Sequence, residues 1–223
     1  MLHHAVIGGS LCRMHSGRAY HEFMLASARD CKVRRRFQRE VLGLLPPRAA
    51  VLDFGAGTGI DAKVYAASGH RVFVYEPTET MRTHLACYCR EEMEQGRIIP
   101  TDLAITASVD LIAANFAVLN LIADHQELFG LFARLLAPGG VVLASLLNPF
   151  FLGDAKYFWW RANLGVLLKF GSYFVAGESG NIHRFAPAVV ARAAQPAFRE
   201  VRLVPRGAGL AIHRYMFMLF QKA

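Results

Sequence analysis

The 223 residues are 54% hydrophobic and 19% charged, enough apolar material for one full core and too apolar for a disordered chain. The formal charge of +8 owes much to Lys32, Arg34, Arg35, Arg36 and Arg39, which admit an anionic partner but read first as a solvated helix face. Cys12, Cys31, Cys87 and Cys89 lack the CxxC spacing of a zinc site, so no metal is expected and the thiols fit a reducing cytoplasm.

Residues 1–19 are weakly patterned and expected to be loose; Met14 is an alternative start. They lack the basic start and apolar core of a secretory signal. From Tyr20 to Leu45 apolar residues recur at helical spacing up to Pro46-Pro47, which predicts one N-terminal helix over 20–45. Ala49 to Phe54 reads as a buried strand that breaks into Gly55, Gly57 and Gly59 before a helix over 58–68. A second strand, 71–75, ends at Glu76-Pro77, and Thr78 is placed to cap a helix reaching Gln95. Short strand three, 97–100, precedes Asp102. Strand four spans 109–114, a helix 124–136, and strand five 141–147. This alternation predicts a parallel sheet with helices on both faces.

Residues 148–183 hold both tryptophans and are read as an insertion, part helical, that caps the active site. A helix from Pro187 and two strands, 200–204 and 211–220, close the chain as an antiparallel pair. The whole is expected to be a single domain, 1–223: an α/β, Rossmann-like, doubly wound seven-stranded sheet, mainly parallel, with a C-terminal antiparallel hairpin and an aromatic cap.

The stretch AAVLDFGAGTGID, with Asp53 before alternate glycines, resembles motif I of the class I S-adenosylmethionine-dependent methyltransferases. LLAPGGVVLASL, residues 135–146, resembles that family's approach to strand five. A dinucleotide fold is the obvious rival, but its pattern is GxGxxG, and Asp53 would repel a pyrophosphate.

The resemblance implies S-adenosylmethionine as cofactor, S-adenosylhomocysteine as product, and a cofactor site of Asp53, the Gly55-Ala56-Gly57 turn and Gly59. It extends to Glu76 and Pro77 near the ribose, Asp102 and Leu103 near the adenine, and Asn115 and Phe116 on the acceptor side. The Glu76 spacing, about 20 residues past the loop, suits a ribose-binding acid.

Position 114–120 reads ANFAVLN rather than the N/D-P-P-Y of base and amide methylation, and the cap is aromatic rather than basic, so nucleic acid is disfavoured. The expected acceptor is a small apolar or aromatic molecule, methylated through oxygen. Its candidate contacts are Tyr157, Trp160, Tyr173 and Arg184, with His183 and then His125 as candidate bases. KYFWWRANLGVLLKF, residues 156–170, has the composition of an interfacial helix, so a cytoplasmic protein touching a membrane there, with a lipid-like acceptor, is the alternative. A non-catalytic cofactor-binding scaffold is another. Oligomeric state is not legible.

Overall fold

The structure, a computed structural model, describes residues 16–104, 108–177 and 180–223; Cys12 and Met14 lie outside them. Two helices, α1 (Gly17–Ala26) and α2 (Ala28–Leu44), precede β1 (Ala50–Phe54). The expected single helix is broken at Ser27, whose side chain accepts from the Asp30 amide and caps α2 while its own N–H closes α1. Then follow α3 (Ile60–Ala67), β2 (Arg71–Tyr75), α4 (Glu79–Tyr88), α5 (Arg90–Glu94), β3 (Ile98–Pro100), β4 (Val109–Ala114), α6 (His125–Leu135) and β5 (Leu136–Leu147). Thr78 stands at the N-cap of α4 but makes no side-chain cap bond.

The cap consists of a 3-10 turn (Leu152–Asp154), α7 (Phe158–Phe170) and a hairpin, β6 (Ser172–Gly177) with β7 (Gly180–Phe185). The sequence reading missed this hairpin. Next come α8 (Pro187–Ala194), β8 (Phe198–Val204), short α9 (Gly209–Ile212) and β9 (Tyr215–Lys222). The seven-stranded sheet runs β3-β2-β1-β4-β5-β9-β8, with β9 antiparallel to both neighbours.

Strand alternation builds two cores. Leu52, Phe54, Met216, Met218 and Phe220 face the layer of α6 and α8, around Phe129, Phe132 and Val190. Val51, Phe217 and Leu219 face the other layer, around Phe37, Val41, Tyr65 and Leu85 from α2, α3 and α4. Each such side chain contributes about 1.5–3 kcal/mol on burial. Asp53, between Leu52 and Phe54, therefore points into the α2–α3 layer, where it is buried.

Candidate active site

Parallel strands β1, β2 and β4 end together at one edge, and their loops surround a crevice there. Gly55, Gly57 and Gly59 all have positive φ. The Gly55 and Ala56 amides both donate to the Tyr75 carbonyl, tying the loop to β2.

Beneath the loop lies a buried hub. Asp61 accepts from Arg34 Nη1 at 2.5 Å, Gln38 Nε2 at 2.7 Å and Asn115 Nδ2 at 3.0 Å. Asn115 Oδ1 accepts from the Phe116 amide at 2.8 Å. The Asn115 side chain is thus committed within the protein, to Asp61 and the Phe116 amide. Arg34, expected on a solvated face, is buried, and its guanidinium lies 4.5 Å from the Phe116 ring centroid. Asp53 Oδ2 is buried with no hydrogen-bond partner. Burial, then the neighbouring Asp61, hold its carboxyl well above the usual aspartate range against the pull of Arg34.

Glu76 directly follows β2. Oε2 accepts from the Gly57 amide at 2.8 Å and Oε1 from Thr78 at 2.9 Å. Each oxygen keeps a further lone pair for a ligand hydroxyl. Pro77 is exposed beside it. Asp102 is exposed, and its Oδ1 accepts from Ala104 in a local turn at 3.0 Å. The Leu103 amide, expected to face the ring, instead donates to Thr101 Oγ1 at 3.0 Å. Residues 105–107 next to this turn lie outside the described ones.

Helix α1 covers the loop. His21 Nδ1 lies 3.0 Å from Thr58 Oγ1, and the His21 ring packs at 4.4 Å from Tyr88. Tyr20 Cε1 is 3.8 Å from the position a Cβ would take at Gly57. Tyr215, at the start of β9, packs edge-on to Phe116 at 5.5 Å. Loss of solvent pushes the Tyr20 phenol up to about 12 and the Tyr215 phenol higher still, so both hold their protons at neutral pH.

The cap encloses a second polar group. Tyr173 and Arg184 are paired across the β6–β7 hairpin and share a face. Arg184 Nη2 lies 3.4 Å from Asp154 Oδ2, and Nη1 donates to the Asn148 carbonyl at 3.3 Å. The guanidinium lies 5.4 Å from Trp159, on which Tyr157 stacks. Trp160 points elsewhere: its Nε1 donates to the Pro149 carbonyl at 2.9 Å and anchors α7 to the body, so it is a packing residue.

The candidate bases pack against aromatic rings. Strand alternation turns His183 to the face opposite Arg184, where its ring stacks on Phe185 at 5.6 Å. His125 is buried, 4.2 Å from the other side of that aromatic cluster, and its Nε2 meets the Leu119 carbonyl at 2.8 Å. Neither side chain bonds to Asp53, Glu76, Tyr20 or Tyr215. Sequence reading missed Tyr20, Arg34, Asp61, Asp154, Trp159 and Tyr215. Only Arg34 carried a signal: it falls on the apolar side of α2, three residues before Phe37 and seven before Val41. Among the described residues no cluster of His, Cys, Asp and Glu is placed to hold a metal.

A family profile described as "Methyltransferase domain" matches residues 25–179, so the chain belongs to that family and is a transferase. Its sheet order and antiparallel β9 are those of the class I S-adenosylmethionine-dependent methyltransferase fold.

A similar solved structure is the 1,6-didemethyltoxoflavin-N1-methyltransferase of Burkholderia thailandensis, with bound 1,6-didemethyltoxoflavin and S-adenosylhomocysteine. It is 17% identical with a TM-score of 0.66, over 98% of this chain and 88% of that one. An S-adenosylmethionine-dependent methyltransferase from Clostridium acetobutylicum is 12% identical with a TM-score of 0.65, over 92% and 99%. The N-methyltransferase NodS of Bradyrhizobium japonicum, in complex with S-adenosylhomocysteine, is 16% identical with a TM-score of 0.59, over 89% and 90%. These likenesses establish the fold. No curated protein matches the chain in sequence.

Proposed function

We propose that the chain transfers a methyl group from S-adenosylmethionine to an oxygen of a small, planar or apolar acceptor held between the glycine loop and the cap. The observation that carries this reading is the orphaned, buried Asp53 Oδ2 at the base of an open glycine turn. Asp61 and Glu76 stand here with Arg34 as their buried cation, and Asp53 lies beside them with its carboxyl raised by burial, a setting in which a cationic ligand would draw Asp53 into its charged form and a pyrophosphate would be opposed. S-adenosylmethionine supplies a methyl group on a sulfonium, which departs as a neutral thioether.

The protein's part is binding, alignment and exclusion of water. Asp53 receives the ammonium, Glu76 accepts from the ribose hydroxyls, and the free oxygen of Asp102 accepts from the adenine amine. Arg34 under Phe116 fixes the floor on the acceptor side. Tyr20 and Tyr215, both protonated, close the crevice against water and donate rather than accept. With both histidines turned into the aromatic cluster, the reading calls for an acceptor oxygen acidic enough to ionise without a dedicated base.

Calorimetry with S-adenosylmethionine and S-adenosylhomocysteine tests the reading: both are expected to bind, and failure of both rejects it. Glu76→Ala is expected to weaken binding by about 1–3 kcal/mol, the scale of unpaired hydroxyls in a buried site. Unchanged affinity would remove Glu76 from the ribose.

A second reading, a lipid-like acceptor taken up at a membrane surface, has its own observation. Phe158, Leu168 and Phe170 of α7 are 78%, 74% and 64% exposed, among exposed Lys156, Arg161 and Lys169. Among the described residues no helix is long and apolar enough to cross a membrane, so such contact is peripheral. The protein is then expected to float with phosphatidylglycerol vesicles and less with phosphatidylcholine, and Phe158→Ser with Leu168→Ser to abolish flotation. A protein that stays in the soluble fraction at every lipid load rejects this reading.

A further inference from the structure

Beneath the cap, six buried side-chain polar atoms lack hydrogen-bond partners: both Asp154 carboxylate oxygens, Trp159 Nε1, Tyr173 Oη, Arg184 Nε and Arg214 Nε. Buried polar groups are normally paired, because one left alone loses its water without a replacement. These six do not lie scattered. Arg184 meets Asp154 and Trp159, Tyr173 pairs with it across the hairpin, and the Arg214 carbonyl accepts from the amide of Asn148, whose own carbonyl Arg184 holds.

The charges are also uneven. Arg184 is 2% exposed and Asp154 0%, yet their closest approach is 3.4 Å, long for a charge-assisted hydrogen bond. The cluster holds two guanidiniums, Arg184 and Arg214, and one carboxylate, Asp154. A buried guanidinium with a distant, shared counter-ion is under-compensated, and an arginine fork is shaped for a carboxylate. The walls are flat: Trp159 under the guanidinium with Tyr157 stacked beyond it, and Phe151, 5.8 Å from the Arg214 guanidinium.

The cluster is tied to the crevice floor through the backbone. Asn148 follows β5 and carries the carbonyl that Arg184 holds, while its amide donates to the Arg214 carbonyl at 2.8 Å. The next residue, Tyr215, packs on Phe116 of the crevice floor.

We propose that this cluster of unpartnered side chains is the acceptor's anchoring site and that the acceptor is a planar acid, its carboxylate held by Arg184 and Arg214 with Trp159 and Tyr173 donating beside them. The inference rests on the methyltransferase reading above. Asp154 positions Arg184 and limits the excess charge.

The test uses the full chain saturated with S-adenosylhomocysteine and measures, by calorimetry, binding of naphthoate, indole carboxylate and hydroxybenzoate against their carboxamides. The acids are expected to bind at least about tenfold more tightly. Arg184→Gln is expected to erase that preference while S-adenosylhomocysteine still binds. Should this variant lose its fold, Tyr173→Phe and Trp159→Phe decide instead: each should lower acid affinity roughly three- to tenfold and leave S-adenosylhomocysteine affinity unchanged. Equal affinity for acid and amide, binding of neither, a preference that survives Arg184→Gln, or acid affinity unmoved by both milder variants overturns the proposal. Failure of S-adenosylhomocysteine to bind the unaltered protein counts against the methyltransferase reading instead.

Discussion

Asp61→Ala is expected to destabilise the protein by about 3–5 kcal/mol, the scale of removing one partner from a buried ion pair. Asp61 is buried and accepts from three side chains, Arg34, Gln38 and Asn115. Without it, Arg34 remains buried with its charge uncompensated, and the Gln38 and Asn115 amides lose their acceptor. The damage is not local to α3: Arg34 comes from α2 and lies against Phe116, while Asn115 directly follows β4. Urea unfolding measures the loss. Pairing the change with Arg34→Met should restore part of the stability, because the stranded charge is gone and an apolar chain fills its place. A single Asp61→Ala variant within about 0.5 kcal/mol of the parent, the range of an ordinary surface substitution, would show that the hub is not under load.

The sheet was readable because its central strands are buried on both faces. Val51-Leu52 and Leu111-Ile112-Ala113-Ala114 therefore appear as apolar runs rather than alternations. Asp53 and Glu76 were readable because each breaks such a run at its carboxyl end. Arg34 was not, because four neighbouring basic residues suggested a charged face. What distinguishes it is the Asp61 carboxylate 27 residues on, a partner that only packing reveals.

The histidines failed for a related reason. His183 and Arg184 are adjacent in sequence, so one strand must point them in opposite directions, and the chemistry of the cap follows whichever faces Asp154. Asp154, Trp159, Tyr173, Arg184 and Arg214 span 61 residues and four elements of cap and body, so no spacing in the chain announces them. The break of the N-terminal helix at Ser27 was hidden because apolar periodicity continues through it; the serine cap alone marks the turn.

The glycine loop gives the sharpest test of where a cofactor lies, because two of its glycines are small for different reasons. A Cβ at Gly55 would lie 2.6 and 2.7 Å from the Cγ atoms of Val118, a short branched side chain with no slack, and φ there is +75°. Gly55→Ala is therefore expected to lower stability by about 2–4 kcal/mol, from left-handed backbone strain plus overpacking. At Gly57 φ is +56°, but the nearest atom to a Cβ is Tyr20 Cε1 at 3.8 Å. Strain of about 1–2 kcal/mol is all that the free protein should register.

The added methyl would stand in the space between the loop and Tyr20, where the methionine end of the cofactor is proposed to run. Gly57→Ala is thus expected to reduce S-adenosylhomocysteine affinity by at least about tenfold in a protein that remains folded, as an overpacked contact of 1–3 kcal/mol requires. Thermal unfolding and calorimetry on the same samples separate the two effects. A Gly57→Ala protein that binds S-adenosylhomocysteine as tightly as the parent would move the ligand off this turn, and with it the roles given to Asp53 beneath and Tyr20 above.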